Sequence, residues 1–443
     1  MARRERIAPK NVHAALGRHM LVDGFPIVVD LEASRPGWVV DGVTGKEYLD
    51  FFSFFASNPL GINHPALLDD ETKERLLVTA VNKVSNPDCY TTYVAEFVET
   101  LSRTAGPPEL PHYFFVDGGA LAVENAMKTA FDWKVRRNIA SGKGEKGTRI
   151  LHFQHAFHGR SGYTLSVTNT DPVKTDYFPK FDWPRVPSPS IRFPLEGKNL
   201  EGVIEAERAC VAAIEAAFDR HPDEIAAILI EPIQAEGGDN HFRPELFVEL
   251  RRIADQRDAM LVFDEVQTGL GLTGKWWAWQ HHGVAPDVMC FAKKMHVGGI
   301  MVGRRVEEVT DNVFQKPSRI NSTFGGTLVD MVRATRVLEV IEEERLVENA
   351  ALRGAQLLDG LLAIAARYPG IVSNARGKGL MCAVDLPDRE TRTTLLRRCF
   401  EAQMIVLGCG TRSVRFRPLL TVQPELMAEG LARFERAVAS LAT

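Results

Sequence analysis

An α/β fold is predicted: a large lobe on a mainly parallel sheet, followed by a smaller α+β lobe. Three observations predict it. From about residue 65 onward, short apolar runs alternate with helical stretches. Two of those runs, Met260–Phe263 and Val288–Ala292, are apolar throughout, as strands buried on both faces are. Each stops on charge, at Asp264 and Glu265 in the first case and at Lys293 in the second.

The chain of 443 residues is long enough for two or more lobes with a sizeable core. Apolar residues make up 45% and charged ones 25%, an ordinary globular balance, and the net charge of −4 argues against a nucleic-acid partner. Six cysteines without C-x-x-C spacing argue against a disulfide frame or zinc ribbon. The start, Met1-Ala2-Arg3-Arg4-Glu5-Arg6, has charge but no apolar run behind it, and no stretch has the length of a membrane span. A cytoplasmic protein is expected.

Residues 1–64 are read as an N-terminal segment laid over the small lobe. Gly37–Gly42 and Lys46–Phe51 make two short strands around a turn at Val43-Thr44-Gly45, and Phe51, Phe52, Phe54 and Phe55 crowd together as core or as the wall of a site. Residues 65–330 form the large lobe. Helices are predicted over Pro65–Val84 and Tyr93–Ala105, then a strand at His112–Val116. Asp117-Gly118-Gly119-Ala120 leads into a helix through Arg136; its two glycines either cradle a phosphate on bare amides or permit a tight turn. A strand at Ile150–Phe153 runs into His155-Ala156-Phe157-His158-Gly159-Arg160. Asp171–Pro194 has little periodicity and is expected to be a long loop at the surface or a subunit contact. A helix over Leu200–Arg220 and a strand at Ile225–Ile230 follow. The helix opening at Pro244 completes a βαβ unit with the Met260 strand. Residues 331–443 are the small lobe, with helices Thr327–Glu344 (at the boundary) and Asn349–Tyr368 and short strands near Gly379–Val384 and Val414–Phe416.

An acid and a lysine at two strand ends are the chemistry a pyridoxal cofactor needs, because ligands gather at the carboxyl edge of such sheets. Rival readings exist. Gly269-Leu270-Gly271-Leu272-Thr273-Gly274 has dinucleotide-loop spacing but lacks the strand–turn–helix context. His152, His155 and His158 invite a metal, yet no acidic or thiol partner follows, and no metal is expected. Lys293 would otherwise be a solvated charge, as its neighbour Lys294 is taken to be.

With these residues in view, nearly the whole chain resembles a class III (omega) aminotransferase of pyridoxal-phosphate fold type I. The resemblance rests on Glu231-Pro232-Ile233-Gln234-Ala235-Glu236-Gly237-Gly238, Phe263-Asp264-Glu265-Val266-Gln267-Thr268-Gly269 and Pro286–Lys293. Gly118–Ala126, Phe157–Tyr163 and Phe181–Pro184 are similar to the L-lysine 6-aminotransferase subgroup. Two departures from the wider class stand out: the phosphate turn is Gly118-Gly119-Ala120-Leu121, without hydroxyls, and Lys294 replaces the usual glycine.

The resemblance implies the following roles. Lys293 would hold pyridoxal 5'-phosphate covalently and shuttle protons. Asp264 would pair with the ring nitrogen and Gln267 with the phenolic oxygen. Phe157 would stack on the ring, and the Gly119 and Ala120 amides would bind phosphate. Thr323 would reach the neighbouring subunit's phosphate in a homodimer, with Asn321 also at the substrate. Arg160 would bind the carboxylate far from the reacting carbon and Arg415 the one beside it, while Glu236 would cover Arg415 until needed. Arg417 is read as a structural ion pair. The implied reaction moves the ε-amine of L-lysine to 2-oxoglutarate. Other omega-aminotransferase donors (ornithine, 4-aminobutyrate or a diamine) and a same-fold isomerase or decarboxylase remain alternatives.

Overall fold

The computed structural model describes residues 6–442; most of the charged start, residues 1–5, lies outside the described residues. Two short strands, β1 (Trp38–Val40) and β2 (Glu47–Asp50), pair antiparallel. Seven strands then build the principal sheet: β3 (His112–Val116), β4 (Arg149–Phe153), β5 (Arg185–Val186), β6 (Ile225–Ile230), β7 (Met260–Asp264), β8 (Val288–Phe291) and β9 (Gly298–Val302). Their order is β3-β9-β8-β7-β6-β4-β5. The β8-β7, β7-β6, β6-β4 and β4-β5 pairs are parallel, and β9 alone runs against its neighbours.

All residues of β6, β7 and β8 are buried, which is why these strands read as unbroken apolar runs. The helix Gly119–Ala140 packs on one face through Val123, Met127 and Trp133. Helices Pro244–Gln256 and Leu328–Glu343 contribute Phe247, Leu250, Met331 and Leu338 to a second core cluster.

Strand β9 escaped the sequence reading because Gly298 and Gly299 open it, and paired glycines there signal a loop. Its neighbours explain them. Gly298 pairs with Val116, and a Cβ on it would lie 2.6 Å from the Gly118 carbonyl oxygen. A bare backbone is needed for the strand to pass beneath the Gly118 turn.

The C-terminal strands β10 (Ser373–Lys378), β11 (Met381–Asp385), β13 (Leu407–Cys409) and β14 (Ser413–Phe416) form an antiparallel sheet in the order β10-β11-β14-β13. The strand predicted near Gly379–Val384 is β11, which begins at Met381 because Gly379 lies in the turn that joins it to β10. Between these strands, β12 (Met404–Ile405) joins β2 in parallel, so the N-terminal segment is bonded to the C-terminal part of the chain. Other boundaries shift modestly. The Pro65 helix begins at Asp70 after a 3-10 turn, Leu346 opens the Asn349 helix early, and helices Arg389–Glu401 and Pro424–Ala439 were not anticipated.

Between β2 and the first helices lies an unusual turn. Ser53, Phe54, Phe55 and Ala56 all have φ between 39° and 61°, a left-handed run without glycine. Such residues cost on the order of 1 kcal/mol each and persist only where neighbours hold them. The buried Asp50 carboxylate accepts from the Phe52 and Ser53 amides, and the Ser53 hydroxyl donates to the Arg417 carbonyl.

Candidate active site

Because β3, β4, β7 and β8 all point the same way, their carboxyl ends deliver Gly118–Ala120, Phe157–Gly159, Asp264 and Lys293 to one edge of the sheet. These residues line a cavity of about 400 Å³ together with Glu231, Glu236, Val266, Gln267, Ala292 and His296. Roomier clefts of about 470, 520, 590 and 620 Å³ lie elsewhere, but none brings a carboxylate and a lysine together at the carboxyl ends of strands.

Asp264 is 4% exposed. Its Oδ1 accepts from the Val266 amide at 3.0 Å, and its Oδ2 lies 2.8 Å from Nδ1 of the buried His158. His158 is buried, and through this contact it holds the carboxylate's orientation. Among the described residues no three His, Cys, Asp or Glu side chains converge on a metal geometry.

Lys293 sits at φ +49°, a strained backbone for a lysine and one that turns it out of the strand toward the cavity. Burial lowers its ammonium below the ordinary lysine value, against the opposing pull of Asp264. A lysine so placed is more readily a neutral amine, the form that attacks a carbonyl.

Lys294 corrects the expectation of a solvated charge. It is 2% exposed, and its Nζ donates to the Gln267 carbonyl at 2.7 Å and the Ala56 carbonyl at 3.3 Å. Burial first, and then Lys293 and Arg417, push its pKa well below the usual lysine value. It ties the left-handed turn to the loop after β7.

Glu231 was not singled out in the sequence as a site residue, yet it shapes the site. Its two oxygens accept from the amides of Phe157 (3.0 Å) and Ala235 (3.1 Å), joining the Phe157 loop to the one carrying Glu236. Burial raises its pKa to about 7. A carboxylate closing an apolar strand before proline was the available signal.

Beside Glu236, Arg415 is 2% exposed. Its Nη2 donates to Glu236 Oε2 at 2.8 Å, while its Nε and Nη1 are buried without a partner. Two unsatisfied nitrogens of one guanidinium beside a cavity are the complement of a carboxylate. The other Glu236 oxygen accepts from Lys174 Nζ at 2.6 Å, a partner the sequence did not suggest. Despite its burial, Glu236 is held below the usual carboxylate range, with Arg415 the strongest counter to desolvation and Lys174 next. Phe55, at the tip of the left-handed turn, has its ring 5.7 Å from the Arg415 guanidinium.

Arg417 makes a two-pronged buried pair with Asp239, one arm at 2.9 Å, and its Nε donates to Gln267 Oε1 at 3.3 Å. Arg160 is exposed and lies over the Phe157 ring at 5.9 Å; among the described residues no carboxylate engages it. Asn321 and Thr323 are exposed and stand outside the cavity lining. The Thr323 carbonyl accepts from Ser85, and Asn321 caps the Ser322 amide.

These residues fit pyridoxal phosphate. The 22-residue helix Gly119–Ala140 points its N-terminus into the cavity, with Gly118 at φ +89° and no side chain over the free amides, a seat for phosphate. A Cβ on Gly119 would lie 2.8 Å from Val266 and crowd this seat. Phe157 and Val266 would offer apolar surface to a flat ring, and Asp264 would supply an anion for its nitrogen.

A family model for class III aminotransferases matches residues 22–438. The chain is 53% identical over 433 residues to the L-lysine-epsilon aminotransferase of Amycolatopsis lactamdurans, covering 97% of this chain and 96% of that one. Its structure matches that of the lysine aminotransferase from M. tuberculosis in the internal aldimine form with a TM-score of 0.96, at 51% identity, over 99% of this chain and 100% of the other. It is 36% identical over 413 residues to the mitochondrial 4-aminobutyrate aminotransferase of Sus scrofa, covering 88% of this chain and 80% of that protein. An acid and a lysine at parallel strand ends, a helix N-terminus between them and family similarity over most of the chain lead to one conclusion: the chain belongs to the class III aminotransferases, pyridoxal-phosphate enzymes of fold type I.

Proposed function

We propose that this enzyme moves the ε-amino group of L-lysine to 2-oxoglutarate, giving L-glutamate and 2-aminoadipate 6-semialdehyde, which cyclises to piperideine-6-carboxylate. The observation that carries the reading is the covered arginine: Arg415 is paired with Glu236 while Arg160 stands free. A donor reacting through its far end brings only methylenes to Arg415, and an uncovered guanidinium there would be desolvated without a counter-charge. Glu236 supplies that charge. A 2-oxo acid brings its own carboxylate and displaces Glu236, so one site accepts two differently shaped substrates.

When bound, the cofactor withdraws electrons from the substrate carbon that carries nitrogen. In this reading Lys293 would take the proton from that carbon and hold and move it at Nζ. Asp264, oriented by His158, keeps the ring nitrogen protonated. Gln267 has its oxygen occupied by Arg417, which leaves its amide N–H groups for the phenolic oxygen. The Gly119 and Ala120 amides hold phosphate. We place Thr323 and Asn321 at the neighbouring subunit's site in a homodimer, since both are exposed and outside their own cavity.

Glutamate formation from 2-oxoglutarate, measured with L-lysine, L-ornithine, 4-aminobutyrate and 1,5-diaminopentane, tests the reading. L-lysine is expected to give the highest kcat/KM. A preference for 4-aminobutyrate, the substrate named for one of the more distant relatives, would replace lysine as donor.

Two substitutions divide the roles of the charged residues. Arg160→Ala is expected to lower kcat/KM for L-lysine by roughly 10- to 150-fold, the worth of a charge-assisted bidentate contact. The diamine, which has no carboxylate to lose, should change little. Equal losses for both donors would remove Arg160 from recognition. Glu236→Ala leaves Arg415 open, so reaction of glutamate through its α-amine should gain roughly tenfold relative to the lysine ε-amine. An unchanged ratio would mean that no gate operates.

A further inference from the structure

Lys174 lies in the proline-led turn Pro172–Lys174, inside the stretch expected to be a featureless loop. Asp171 caps that turn by accepting from the Val173 amide, which directs the lysine inward. Its side chain is 16% exposed, against 26% for the Glu236 it binds. Nζ also lies 3.3 Å from the Thr170 hydroxyl and 5.3 Å from the centre of the Phe157 ring. Glu236 is thus shared, with one oxygen on Lys174 and the other on Arg415. The nearby cations Arg392 and Arg417 are already committed, Arg392 to the Gly410 carbonyl and Arg417 to Asp239.

We propose that Lys174 is the second seat of the Glu236 gate and the residue that makes the acceptor-bound state electrically balanced. The inference rests on the gate reading above. With lysine bound, the cluster holds two cations and one carboxylate. Arrival of the 2-oxo acid places a second carboxylate on Arg415, and the count becomes two against two. Glu236 then keeps Lys174 at the oxygen that already binds it, so the gate opens by pivoting about an existing contact rather than by carrying a bare carboxylate into a half-buried space. Without Lys174 the same state leaves two carboxylates competing for Arg415, at a separation where like charges repel strongly in a low-dielectric site. Lys174 is a positioning residue, acting on the acceptor through Glu236.

The test uses the holoenzyme. Lys174→Met keeps the stem and removes the charge, and it is expected to raise the KM for 2-oxoglutarate about tenfold while kcat/KM for L-lysine stays within about twofold. Affinity for glutarate, a dicarboxylate that cannot react, should fall by a similar factor when measured by calorimetry. Lys174→Arg should restore both. In a Glu236→Ala background, where no gate glutamate needs a second seat, Lys174→Met should have no further effect. Equal changes for donor and acceptor, or an effect that persists without Glu236, would overturn the proposal. If Glu236→Ala alone leaves the donor ratio unchanged, the gate itself is wrong, and this role of Lys174 falls with it. If that ratio shifts but Lys174→Met leaves glutarate affinity intact, only Lys174 is dismissed.

Discussion

Lys293→Ala is expected to abolish amino transfer, with a loss of roughly 10³-fold or more, because the proposed mechanism puts covalent attachment and proton shuttling at one nitrogen. The visible absorption band of the covalently held cofactor should vanish with it. The adjacent lysine provides the control. Lys294 faces away from the cavity to the carbonyls of Ala56 and Gln267, so Lys294→Ala should keep the band. Its cost should appear as about 1–3 kcal/mol of stability, the penalty for stranding buried acceptors, read from thermal or urea unfolding. A band that followed Lys294 instead would reverse the assignment.

Asp264→Asn is expected to be nearly as damaging by a different route. The amide has the shape of the carboxylate but cannot hold a proton on the ring nitrogen by charge, so proton abstraction should slow by several orders of magnitude while cofactor remains bound. His158 sharpens the test. Its Nδ1 faces Asp264 Oδ2 at 2.8 Å and its Nε2 is buried without a partner, so the ring has nowhere else to turn when the carboxylate is lost. Primary deuterium isotope effects on lysine turnover would report the slowed step; near-normal turnover would remove Asp264 from the role.

What the sequence disclosed follows the physics of its residues. The central strands were legible because full burial demands uninterrupted apolar runs, and the site because such runs broke off on Asp264 and Lys293. The antiparallel β9 was not, since its glycines answer to the Gly118 backbone, a neighbour far away along the chain. Lys294 was misread for a related reason: a buried lysine looks like a surface one until the carbonyls that satisfy it are located. Glu231 and Lys174 were passed over because each works by bridging loops. Lys174 in particular sits in an aperiodic stretch, where neither period nor motif marks a residue. Arg417 reads from the sequence as a structural ion pair, and its pair with Asp239 is deeply buried, but its contact with Gln267 also brings it within one hydrogen bond of the cavity wall.

The left-handed run Ser53–Ala56 bears on how this enzyme responds to redesign. Phe54 and Phe55 occupy a backbone that glycine adopts freely and L-phenylalanine does not, and Phe55 spends its ring beside Arg415 while 48% exposed. A library screened at this position for heat resistance will drift toward glycine or asparagine, which relieve on the order of 1 kcal/mol of backbone strain. The same drift empties the flank of Arg415, where we propose the acceptor's carboxylate binds. Selection for durability and selection for substrate range therefore converge on one aromatic residue and pull it in opposite directions.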